Sequence, residues 1–93
     1  MLIKMSPQEI ALIKDALKYK DRLDLMIILK DDSESFELTD DQLIDVDDCC
    51  KDYFCAVGLD NKQEPNEKGL KIERLIDKIY DYLEKTDQSA NRT

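Results

Sequence analysis

The sequence predicts an all-α fold, a small bundle of three to four amphipathic helices. Three observations carry that expectation. Apolar residues recur at three- and four-residue steps through most of the chain. Three helix-start signals divide it, and two glycines and two prolines in 93 residues leave few places to break. The length suits a single domain over residues 1–93, with no room for a second core.

The first start is Ser6-Pro7-Gln8-Glu9, a capping box with proline at the first helical position. The helix it opens runs from Pro7 to about Lys30. Leu12, Ile13, Ala16, Tyr19, Leu23, Met26 and Ile27 form its face, and Ile10, Leu17 and Ile28 lie off it. The last turns are apolar nearly all round. That end is therefore buried on several sides, or the helix breaks near Lys20–Asp24; a short strand over Leu25–Leu29 is the remaining option, with no evident partner. Asp31–Leu38 is polar and acidic and reads as a loop.

Thr39-Asp40-Asp41-Gln42 repeats the capping box and opens a second helix to about Val57. Its apolar stripe is Leu43, Val46, Cys50, Tyr53, Phe54 and Val57, with Cys49 and Cys55 elsewhere around the helix. Gly58 is expected to stop it in the left-handed conformation. Asp60–Pro65 is a polar connector, and Asn66 caps a third helix from about Glu67 to Lys85. This helix buries Ile72, Leu75, Ile76, Ile79 and Leu83, with Tyr80 and Tyr82 at its margins and Lys78 on its mixed-charge face. Thr86–Thr93 is expected to fray.

Composition excludes several functions. With no histidine, Ser-His-Asp and Cys-His catalysis and most zinc sites are out. Gly58 and Gly69 alone cannot build a phosphate-cradling loop. Asp31-Asp32-Ser33-Glu34-Ser35-Phe36-Glu37 superficially resembles a calcium loop, but Phe36 stands where glycine is required and Gln42 where the bidentate glutamate belongs. No enzyme activity, metal or cofactor is expected. Cys49, Cys50 and Cys55 are odd in number and not spaced as a disulfide framework. The run Leu25–Leu29 is too short to span a bilayer, and Met1–Met5 lacks the apolar region of a signal peptide. The expected location is cytoplasmic.

The charge points to a mode of binding. The chain carries 22 acids against 14 bases, a net charge of −8, which argues against nucleic acid as a direct ligand. Residues 39–66 alone hold −6, and Asp31–Asp48 contains nine acids and no base. Asp41, Asp45, Asp48 and Asp52 fall at steps of four, three and four, one row opposite the apolar stripe. Ile44 gives the row an apolar edge. Such a ridge suits docking onto a basic protein surface, with Glu37, Asp40 and Asp47 in support. Two plainer readings stand beside it: a solvated helix face, or pairing with the basic row Lys14, Lys18 and Arg22 in a homodimer.

Four stretches of the second half carry a resemblance: Leu38-Thr39-Asp40-Asp41-Gln42-Leu43, Val57-Gly58-Leu59-Asp60, Glu64-Pro65-Asn66-Glu67-Lys68-Gly69, and Ile72-Glu73-Arg74-Leu75-Ile76-Asp77-Lys78-Ile79. Together they resemble small acidic helical immunity proteins of contact-dependent growth inhibition and colicin-type systems. The resemblance implies a protein that neutralises a cognate toxin, often a nuclease, whose basic site the acidic ridge would cover. Independently of the resemblance, the free chain is expected to be a monomer, with a homodimer as the other option. An acidic nucleic-acid mimic or adaptor for another basic protein is the alternative, and a structural homo-oligomer is a third.

Overall fold

The computed structural model describes residues 2–29 and 34–91, the side chains as far as residue 84. The chain is mainly helical, with the order β1 (Leu2–Lys4), α1 (Pro7–Tyr19), α2 (Leu23–Met26), β2 (Ser35–Glu37), α3 (Asp40–Val57) and α4 (Glu67–Asn91). The strands add a small sheet to the expected all-α bundle, and β2 replaces the loop read over 35–37. They pair antiparallel, with Ile3 opposite Phe36, both buried between exposed neighbours. Three residues offer one inward side chain each, so there is no alternation for a sequence reading to detect. The Tyr82 hydroxyl accepts from the Lys4 N–H (3.1 Å) and donates to the Lys4 carbonyl (3.3 Å), fastening β1 to α4.

The first helix is not continuous. The Arg22 N–H reaches back to the Leu17 carbonyl (2.8 Å) and the Asp21 N–H to that of Lys18 (3.1 Å), a Schellman ending with Asp21 left-handed at φ 56°. This break replaces the face expected beyond Lys20. Ile10, Ile13, Ala16 and Leu17 are buried, whereas Tyr19, Leu23 and Ile27 are exposed. The Leu25–Leu29 segment turns as α2 and a following turn instead of extending, and it buries Leu25 and Leu29.

Both capping boxes form as read, Ser6 with Glu9 and Thr39 with Gln42. The buried side of α3 is wider than the predicted stripe, taking in Asp47 and Cys49 beside Leu43, Val46, Cys50 and Tyr53. It packs on α1 and on α4, while α1 and α4 touch each other only sparsely. Tyr53 links all three: its ring lies 5.7 Å from that of Tyr19, and Lys68 Nζ sits 5.0 Å from its centroid.

Gly58 ends α3 without the expected left-handed turn, at φ −93°. Glycine is needed there for closeness. A Cβ on Gly58 would lie 2.7 Å from the Phe54 carbonyl oxygen and 3.0 Å from the Gly69 Cα, and one on Gly69 would strike the Gly58 carbonyl. Asn66 locks the corner, donating to the Val57 carbonyl (3.0 Å) and accepting from the Gly69 N–H (2.8 Å). The helix that follows reaches Asn91, past the predicted end at Lys85 and through most of the tail expected to fray. Residues 31–33 of the calcium-like stretch lie outside the described residues.

Candidate functional site

The acidic row on α3 is divided by what α1 places beside it. Because the chain turns at Asp21, Lys20 and Arg22 stand against one edge of α3. Arg22 Nη2 lies 3.2 Å from Asp45 Oδ2, and Lys20 Nζ lies 2.8 Å from Asp52 Oδ2. Arg22 also grips Asp24 at 3.1 Å, holding that carboxyl below its usual range, while Asp52 raises the Lys20 ammonium. Asp45 and Asp52 are therefore neutralised within the chain, although their side chains stay about half exposed. The basic residues that the sequence offered for a homodimer are partly spent in this way: Arg22 is bound to its own α3.

Asp40, Asp41 and Asp48 are exposed, as is Glu37 at the end of β2, and none has an ion-pair partner among the described residues. Ile44 lies between Asp41 and Asp48 on the outward face, 46% exposed. Asp47 is placed differently. It is 6% exposed, its Oδ2 is 2.8 Å from Lys51 Nζ, and its Oδ1 is buried with no hydrogen-bond partner among the described residues. An inward-facing carboxylate cannot be presented to a partner, so Asp47 leaves the candidate surface. What remains is Asp41, Ile44 and Asp48, with Asp40 and Glu37 toward the helix start.

Sequence spacing could not separate Asp41 and Asp48 from Asp45 and Asp52. All four share one side of an isolated helix, and only the place of the α1–α2 turn tells them apart. The role of Lys20 and Arg22 as internal counter-charges was likewise missed.

The thiols are free, with Cys49 and Cys50 buried and Cys55 exposed. The burial of Cys49 corrects its expected place off the packed side. The α1–α2 turn covers that edge, and burial pushes its thiol up. Burial raises Cys50 further, to about 12, so neither offers a thiolate near neutral pH. Among the described residues, no group of three or more histidines, cysteines or carboxylates is placed to hold a metal ion, and no helix is long and apolar enough to cross a membrane.

By fold and surface, this is a small helical domain with its charge concentrated on one helix. Comparison with known proteins goes no further: no family model, curated protein or solved structure matches the chain.

Proposed function

We propose that the protein is a cytoplasmic inhibitor that binds a basic protein through the outward face of α3, and that its partner is a cognate toxin, of the nuclease class. The observation that carries this reading is the pair of exposed carboxylates, Asp41 and Asp48, set one turn either side of exposed Ile44 and neither held in an ion pair among the described residues. A nuclease must hold a polyanion, so its site is basic, and fixed carboxylates around an apolar contact can occupy that site as phosphates would. The likeness of the second half to immunity proteins supports the toxin as partner. Binding of this kind requires no catalysis by the inhibitor.

The test is co-expression with the toxin that this reading predicts in the neighbouring gene, read as protection of the cells. Asp41→Lys and Asp48→Lys set positive charge against a basic surface and should abolish protection. Lys62→Glu, in the exposed connector between α3 and α4, should preserve it. Survival with a folded Asp41→Lys/Asp48→Lys double variant sinks the proposed contact.

A further inference from the structure

On the side of the molecule away from the α3 ridge lies a groove of about 250 Å³ between α1 and α4. It exists because both helices pack on the inner side of α3 but meet each other only sparsely. Leu12 and the fully buried Leu75 give it an apolar floor; Gln8 and Glu9 line one wall and Lys71 and Arg74 the other. Glu9 is already held by Lys78 at 3.0 Å. Lys71 and Arg74 are exposed and have no ion-pair partner among the described residues. The groove thus presents two uncommitted cations, one turn apart, beside an apolar slot.

Groups of complementary chemistry stand on the outward face of α3 in the same chain. Ile44 projects from α3 with exposed Asp41 and Asp48 one turn to either side. We infer that the α1–α4 groove seats the α3 face of a second copy, Ile44 entering between Leu12 and Leu75 and the flanking aspartates meeting Lys71 and Arg74. Because groove and ridge lie on opposite sides of the molecule, the contact is head-to-tail. A bound copy still offers its own groove and ridge, so assembly grows as an open chain and does not close as a two-fold dimer. A chain carrying −8 repels its copies overall, so the assembly belongs to high protein concentration. The inference is independent of the toxin reading, although both use α3.

Sedimentation equilibrium of the purified full chain from about 10 µM to about 1 mM tests it. The wild-type average mass should rise with concentration and pass that of a dimer. Arg74→Glu spoils the groove and leaves the ridge; Ile44→Glu, which puts a charge into the apolar slot, spoils the ridge and leaves the groove. Each alone should remain monomeric, while an equimolar mixture should form a 1:1 pair that grows no further, because only one competent contact exists between the two variants. Lys71→Glu and Ile44→Asp provide the same cross if either first variant fails to fold by circular dichroism. A wild type that stays monomeric throughout, single variants that associate like the wild type, or a mixture that stays monomeric each overturns the inference. Arg74→Glu also separates the two readings, since it should abolish self-association yet still protect cells from the toxin.

Discussion

Asp21 decides where the first helix stops. A left-handed residue costs an L-amino acid roughly 1–2 kcal/mol, less for aspartate, whose short side chain bonds locally. The chain accepts this cost because the Schellman bonds satisfy the last carbonyls of α1 and bring Arg22 to Asp45. Asp21→Gly should therefore stabilise the protein by about 0.5–1 kcal/mol, and Asp21→Val should destabilise it by about 1–2 kcal/mol. Urea denaturation measures both; equal midpoints for the two variants would mean that the turn is not held at φ 56° in solution. Asp47 is the opposite kind of residue. Its orphaned Oδ1 is buried at a cost, and the charge of Lys51 offsets only the other oxygen. Neither residue betrays itself by type: one aspartate acts as a glycine would, and the other sits where an apolar side chain belongs.

At the scale of elements, caps were legible and partnerships were not. Ser6, Thr39 and Asn66 announce their helices because a cap needs only local chemistry, a side-chain oxygen three residues before a free N–H. The two strands and the pairing of Lys78 depend on residues distant in sequence, so no local pattern carries them, whereas the break at Asp21 falls in the Lys20–Asp24 stretch where the all-round apolar last turns allow one. Lys78 shows the difference. Read alone, it belongs to a solvated mixed-charge face; in the fold its ammonium reaches Glu9, which also accepts from the Ser6 N–H at 2.8 Å. One carboxylate thus caps α1 and ties it to α4. Burial works to raise the Glu9 carboxyl, but the Ser6 N–H and Lys78 outweigh it and hold the group below its ordinary value of 4.5. A lowered native pKa stabilises the fold above the ordinary value, and that contribution drains away as pH falls through the lowered one. Lys78→Glu should accordingly lower the urea midpoint at pH 7, and the gap to wild type should narrow as the pH drops below about 4.5. A gap that is absent at pH 7, or constant with pH, would show that the pair contributes nothing.

Over the whole molecule, charge is what the sequence displayed best and placed worst. The −6 of residues 39–66 was visible by counting, but the spacing of four aspartates on one helix implied a uniform ridge. The fold instead pairs alternate members, Asp45 with Arg22 and Asp52 with Lys20, and leaves Asp41 and Asp48 facing solvent. This division gives the four carboxylates opposite effects on stability. Asp41 and Asp48 feel their like-charged neighbours one turn away, a repulsion of roughly 0.2–0.5 kcal/mol per pair. Asp45 and Asp52 feel the same repulsion but also hold a cation, and breaking a pair forfeits that attraction. In a chain of net charge −8, salt should screen the dominant repulsion. Raising ionic strength from about 0.01 M to about 0.3 M should therefore increase the wild-type urea midpoint. Asp41→Asn/Asp48→Asn should start higher at low salt and respond less, because part of the repulsion is already gone. Asp45→Asn/Asp52→Asn should start below the first double variant at low salt, having lost two attractions along with two repulsions. If the two double variants coincide at low salt, the pairs with Arg22 and Lys20 are not formed in solution, and all four aspartates belong to a single outward ridge.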